Sequence, residues 1–464
     1  MEVGKTMPFF LRDESQARLR ALGSGRSRKL MIAAACCYVL MLAMQLYTLL
    51  TFHGEPISDA ARYVGTALRC VREGHFYPTA ADFIGKGTAG TGYVNLLVLL
   101  FRLTGSVRAA YVLNMVFVQI LLLSVLKLAY RATGSPDVCA YTAIFFCLSA
   151  PYWAEICIAR TELCFTALAF AALALLFGKR RGLPLLSGLL LAYANWVRPL
   201  GLAFFVSAAW ILLYRRAKWH GYVRLLAGAA AMVAAICLFT YHSSGRFVYQ
   251  PTVASGNLLI GANDDADGSY SDIVFSEGKA GYIPPEQKKT MAYTEINAIY
   301  SAAAKKWIRE NTGKYIALMP KRLFYMYAAD TYSGEVYFDN LKTTAGAAYV
   351  REIAGMLRGN GRAWTFGDVV ICCGQAFYML TFALFLCGVI RSLRKGYWRS
   401  LSFLYGIFLI GTATVLLTVG SGRYHFPYLP VLQITAAAFL QSTVTSHLAR
   451  KNDTTSCGQS ETSA

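Results

Sequence analysis

The chain has 464 residues and carries 45 Lys and Arg against 25 Asp and Glu, a formal net charge of +20. Only 15% of residues are charged while 56% are apolar, and the mean hydropathy is +0.42. A soluble globular domain, with about 25% charged and 45–50% apolar residues, is excluded, and so is a disordered chain.

The basic residues fall in short clusters between long apolar runs, which is a membrane-topology pattern and argues against a nucleic-acid partner. Apolar runs at 30–52, 108–130, 137–154, 160–178, 183–197, 199–214, 221–242, 366–390, 400–419 and 426–446 predict an all-α polytopic membrane protein. About ten transmembrane helices are expected, because about 20 residues cross the hydrocarbon layer. The first run is too long for a signal peptide and no small-residue cleavage site follows it. Arg26, Arg28 and Lys29 precede that run, and Lys179-Arg180-Arg181, Arg215-Arg216-Lys218 and Arg391-Arg394-Lys395 fill later short loops. These predict both termini on the inside, with cytoplasmic ends at 1–29 and 447–464.

The membrane domain is thus read as 30–242 plus 366–446. Two outside segments stand apart, a first loop at 53–107 and a larger extracytoplasmic segment at 243–365. In the first loop, SDAARYVGTALRCVRE (58–73) places Ala60, Val64, Ala67, Leu68 and Val71 on one helical stripe. Too charged to span, this helix is expected in the interface with its stripe towards lipid, Ser58 as N-cap and Gly74 as stop. The run at 93–105 is apolar but too short to cross, and is also expected to lie flat.

Asp59 opens the interfacial helix just above the outer leaflet. Arg160, Glu162, Arg198 and Arg423 stand at the outer ends of later runs, with Lys86 in the first loop. Ionisable groups at that depth have partners or functions. A carboxylate near several arginines suits an anionic lipid substrate, since the guanidinium fork binds phosphate bidentately.

Other signals are weaker. Gly85–Gly90 fits G-x-G-x-x-G without a preceding strand. Asn263–Gly268 resembles the start of a calcium loop, but its twelfth position is Val274. No cofactor is therefore expected, and a divalent ion near Asp265 and Asp267 is not favoured. The 12 cysteines lie mostly in or beside apolar runs and show no paired C-x-x-C spacing. The six histidines are scattered. Segment 287–327 is helical in pattern with a basic side at Lys305, Lys306 and Arg309.

The order of PISDAARY, GYVNLLVLLFRLTG, APYW with ARTEL, NWVRPLG and GRYHFPYLPVLQ resembles the polyprenyl-phosphate-sugar-dependent glycosyltransferases of the type-C superfamily. The likeness is greatest to bacterial family 39, kin of protein O-mannosyltransferases and lipid A aminoarabinose transferases. GNLLIGANDDADGSY resembles a further stretch of that group, with Asp264-Asp265 where relatives carry Asn-Pro. The resemblance implies an inverting transferase that moves a monosaccharide from a polyprenyl-phosphate carrier to an acceptor lipid, glycan or protein. The reaction would take place at the outer face of a bacterial plasma membrane. It implies Asp59 as catalytic base and Arg198, Arg423, Arg160 and Lys86 as holders of the donor phosphate. Glu162, Arg62, Tyr63 and Asn263 are the candidates for other substrate contacts. A transporter or flippase of lipid-linked saccharides would call for inverted repeats and midplane charges, which the sequence does not display. An O-antigen polymerase or ligase would not require the loop Asp.

Overall fold

The computed structural model describes residues 26–85, 90–250, 254–338, 354–359 and 363–460. Among them the chain is helical, without a strand. The first nine main helices are α1 (Arg26–Thr51), α2 (Ser58–Glu73), α3 (Thr91–Thr104), α4 (Arg108–Thr133), α5 (Pro136–Leu148), α6 (Thr161–Leu175), α7 (Leu183–Val197), α8 (Gly201–Tyr214) and α9 (Trp219–Ser244). A layer of shorter helices follows: α10 (Ala254–Gly261), α11 (Tyr293–Glu310), α12 (Met319–Tyr327) and α13 (Tyr332–Tyr337). Then come α14 (Phe366–Lys395), α15 (Trp398–Leu416) and α16 (Leu429–Ser460).

Five of these, α1, α4, α9, α14 and α15, are long and apolar enough to cross a membrane. Their outer faces expose large apolar side chains, such as Leu50 at 70%, Leu226 at 65% and Leu409 at 64%. Water does not tolerate so much contiguous apolar surface, whereas lipid does. The chain is an all-α membrane protein.

Proline sets several breaks. Pro136 occupies the first turn of α5, where no N–H is needed, and Ser135 Oγ accepts from Val138 N at 3.4 Å. The run predicted as one span over 137–154 is interrupted, with α5 ending at Leu148, Ser149 extended, and a short turn starting at Pro151. Pro151 cannot donate to the preceding turn, and its ring would crowd the carbonyl four residues back. At the other break Arg198 is extended (φ −149°, ψ 129°) between α7 and α8. The ring of Pro199 disfavours a helical residue before it.

Helix packing relies on close backbone approach. A Cβ on Gly188 of α7 would lie 2.0 Å from Leu225 O, and one on Gly228 of α9 would lie 2.0 Å from Leu185 O. This reciprocal glycine contact lets two helices interlock where apolar burial alone gives no preference within lipid.

The first loop differs from its sequence reading. Most of the α2 stripe faces inwards: Leu68 alone of the stripe is exposed, Val71 is half-buried, and Ala60, Val64 and Ala67 are buried, together with Tyr63 and Cys70. They pack on α3, whose Tyr93, Leu97 and Val98 are fully buried. Two short amphipathic helices cover each other and α7, a partner that sequence periodicity does not reveal. Ser58 is the first helical residue, with φ 53°, and its side chain makes no cap; Ile57 precedes it in extended conformation.

The first loop and the layer of α10–α13 meet at one end of the bundle. Ile84 bridges to Ala292, Gly85 N donates to Met291 O at 2.9 Å, and Phe52 stacks on Tyr337 at 5.9 Å. The layer has its own small core around Leu259, Val274, Ile296 and Tyr300, which Val419 joins from beyond the end of α15.

Candidate functional site: an ion-paired carboxylate at an amphipathic cavity

Asp59 lies in the first turn of α2, where a negative charge complements the helix dipole. Arg423 comes from the 3-10 turn Gly422–Tyr428 between α15 and α16. Its Nη1 donates to Asp59 Oδ2 at 2.6 Å, and Arg62 Nη2 donates to Asp59 Oδ1 at 3.0 Å. Both carboxylate oxygens are therefore engaged. Burial works against the charge on Arg423, but Tyr424, Glu162 and Asp59 outweigh it and raise its pKa well above the ordinary value.

The segment bearing Arg423 is fixed from the layer above. Arg322, fully buried, donates from Nη2 to Gly261 O at 2.6 Å and from Nη1 to Leu416 O, with its guanidinium over the Tyr315 ring. At Gly420 a Cβ would stand 2.2 Å from Arg322 O, so only glycine permits this contact. Two residues after Arg423, the buried His425 ring bridges Met326 O at 2.7 Å and Asp330 Oδ1 at 3.1 Å. Burial raises the Asp330 carboxyl above its ordinary pKa, with His425 pulling the other way.

A second set of charges lies behind the first, off the cavity; Glu155, Arg160 and Glu162 are sealed, while Arg198 is 16% exposed. Arg160 and Glu155 pair at 3% and 0% side-chain exposure. Glu155 Oε2 also accepts from Ser333 Oγ at 2.6 Å, and Arg160 lies over the Tyr332 ring at 4.3 Å. Arg198, driven out of helical conformation before Pro199, sits 3.1 Å from Glu162 Oε1 and donates to Thr161 Oγ1 at 3.0 Å. Tyr424 links the two sets, since Arg198 and Arg423 both approach its ring, at 5.8 and 5.6 Å.

Beside Asp59 lies a cavity of about 1460 Å³. Asp59, Arg62 and Arg423 line one polar wall, and Ser269–Asp272 form another. A large apolar part is formed by Phe324 from α12, Met379 and Phe382 from α14, and Phe408 from α15, with Thr331 and Thr412 among them. Phe324 and Met379 are 62% and 45% exposed, so this apolar part reaches the outer surface of the bundle.

The structure thus brings Asp59, Arg62, Arg423, Arg160, Glu162 and Arg198 into one region, with the first three on the cavity and the other three behind it. Tyr63 is buried, edge-on to Tyr93 at 5.9 Å, within the electrostatic reach of Asp59, Glu162 and Arg198. Asn263 is apart from them: its Nδ2 donates to Leu259 O and Ile260 O at 2.9 Å, closing the end of α10. Lys86 lies outside the described residues. Asp265 pairs with Lys279 at 2.8 Å and Asp267 accepts from Ser269 N at 2.8 Å. No group of three or more His, Cys, Asp or Glu is placed to hold a metal ion among the described residues.

Sequence reading missed Glu155, the Ser269–Asp272 wall and the aromatic lining. Glu155 had a signal, being an acid between two apolar runs. The aromatic residues had none, because they sit inside apolar helices like any core residue.

Fold and site define a helical membrane protein with a charged, amphipathic cavity at one end of the bundle. No model of a known protein family matches the chain, and no curated protein matches it.

Proposed function

We propose that the protein is an inverting glycosyltransferase that moves a monosaccharide from a polyprenyl-phosphate carrier to an acceptor hydroxyl at the outer face of a bacterial plasma membrane. The observation that carries this reading is the cavity, which joins an arginine-paired carboxylate to an apolar wall open at the bundle surface. Such a space suits a phosphate head on a long hydrocarbon chain. The motif order in the sequence supports the same reading, with ten spans, both termini inside, and the cavity outside.

In this mechanism the donor phosphate enters at Arg423 and Arg62. Both Asp59 oxygens are occupied by arginine donors, so phosphate drawing Arg423 away frees Oδ2 to meet the acceptor hydroxyl. The acceptor hydroxyl oxygen attacks the anomeric carbon while Asp59 takes its proton. The bond from that carbon to the phosphate oxygen breaks, and polyprenyl phosphate leaves with the electron pair, stabilised by arginine. Attack opposite the leaving group inverts the anomeric centre. Arg198 and Glu162 act from behind, holding Tyr424 and the charge of Arg423 in place, while Arg160 with Glu155 braces Tyr332.

The test is transfer from a synthetic polyprenyl-phosphate sugar by protein in nanodiscs. Asp59→Asn keeps the shape of the side chain and should lower turnover by roughly 10²–10⁴-fold, with folding retained. Near-normal transfer by the variant would remove Asp59 from the mechanism. For the topology, a cysteine at Ser276 should react with an impermeant thiol reagent in intact cells, and one at Lys218 should not; reversed labelling would put the cavity inside.

A further inference from the structure

The second polar wall of the cavity takes no part in the mechanism above, and its chemistry is different. Residues 269–272 read Ser-Tyr-Ser-Asp. Gly420 N donates to Gly268 O at 2.9 Å, and Ser269 bridges to Gly420, so the wall is in register with the segment leading to Arg423. Asp267 Oδ1 accepts from both Ser269 N and Ser269 Oγ, at 2.8 and 2.7 Å. Ser271 Oγ caps the turn Asp272–Phe275, and the next residue after Ile273, Val274, is buried in the small core of the layer. The backbone of the wall is thus fixed; the Tyr270 hydroxyl and the Asp272 carboxylate are hydrogen-bonded to each other and both residues stay exposed, so a ligand hydroxyl can join the pair. Tyr270 is 43% exposed, and Ser271 and Asp272 are exposed. The Tyr270 hydroxyl lies within the electrostatic reach of Asp272, Tyr424 and Arg423.

These groups do not suit phosphate, because Asp272 would repel it. A hydroxyl both donates and accepts, a carboxylate accepts, and a tyrosine ring offers an apolar face with a polar tip. A sugar ring matches all three. One of its faces presents C–H groups to an aromatic ring, and its edge presents hydroxyls to carboxylate and serine. We infer that Tyr270, Ser271 and Asp272 form a glycosyl-binding subsite on the cavity shared with the Asp59–Arg423 pair, taking a neutral sugar ring. This rests on the transferase reading, and the ring belongs either to the carrier-linked sugar or to the acceptor glycan.

The probes are bare polyprenyl phosphate, polyprenyl-phosphate-linked pentose and hexose, and the corresponding methyl glycosides, titrated against full-length protein in nanodiscs. Tyr270→Ala and Asp272→Asn should weaken glycosyl-dependent binding by roughly tenfold, the scale of one aromatic contact, and leave bare polyprenyl phosphate unaffected. Tyr270→Phe keeps the ring face and should retain most of the binding. Loss confined to the lipid-linked sugars assigns the subsite to the donor, and loss confined to methyl glycosides assigns it to the acceptor. Equal glycosyl binding by parent and Tyr270→Ala overturns the inference, as does a folded parent protein that gains nothing from a sugar in any probe. If bare polyprenyl phosphate fails to bind while methyl glycosides bind through Tyr270, the transferase reading falls and the subsite stands.

Discussion

The two sets of arginine–carboxylate pairs are built from the same residue types and meet across one tyrosine ring, yet their surroundings set them apart. Asp59 and Arg423 face the cavity at 25% and 18% side-chain exposure. Glu155 and Arg160 are enclosed by protein. A charge on a cavity wall can exchange its partner for a ligand. A sealed charge cannot, and removing its partner leaves it uncompensated in a medium that penalises ions heavily. Contact with the cavity, more than charge type or depth, divides groups suited to chemistry from those that hold the scaffold: Arg198, at 16% exposure against 18% for Arg423, does not line it.

The sealed set should show the largest effect on folding. Arg160→Ala leaves Glu155 facing Ser333 alone and should cost about 3–5 kcal/mol, read as a fall in melting temperature and yield. The double variant Arg160→Met with Glu155→Gln should recover most of that loss, because no uncompensated ion remains. Failure of the double variant to recover would mean that packing against Tyr332, and not charge, dominates there.

A smaller and pH-dependent effect is expected at a third pair, Asp82 with Arg69 in the first loop, 2.6 Å apart. Burial pushes the Asp82 carboxyl up, but bonds from Arg69 and from the Thr79 N–H and hydroxyl outweigh it and lower its pKa. A lowered folded-state pKa gives stability that is present above the unfolded value, near 4, and is lost as pH falls through the folded value. Melting temperature should therefore drop between pH 4 and lower pH in the parent and drop less in Asp82→Asn. Parallel curves would show that the pair contributes nothing to acid stability.

Much of this was legible in the chain. The long apolar runs foretold the helices that can cross a membrane, and Arg198-Pro199 foretold the break that aims Arg198 at Glu162. Asp59, Lys86, Arg160, Glu162, Arg198 and Arg423 were expected at one outer depth; all but Lys86, which lies outside the described residues, converge in one region. Other features depend on tertiary contacts. The α2 stripe looked lipid-facing because the partner that covers it, the far more apolar α3, starts some twenty residues further on. The break at Ser149 was hidden by strong hydrophobicity on both sides. Whether an arginine lines a cavity or lies behind it is decided by partners distant in sequence, Asp59 for Arg423 and Glu162 for Arg198, so the two arginines read alike in sequence.

That last difference gives the most direct test. Binding of a synthetic polyprenyl phosphate and melting temperature are measured together for Arg423→Gln and Arg198→Gln in nanodiscs. Arg423→Gln should lose roughly tenfold or more in affinity, the worth of one charge-assisted contact, with little change in melting temperature. Arg198→Gln should melt several degrees earlier and bind nearly as the parent does. Unchanged affinity in Arg423→Gln, with the loss of binding falling on Arg198→Gln, would contradict the division between a working wall and a supporting one.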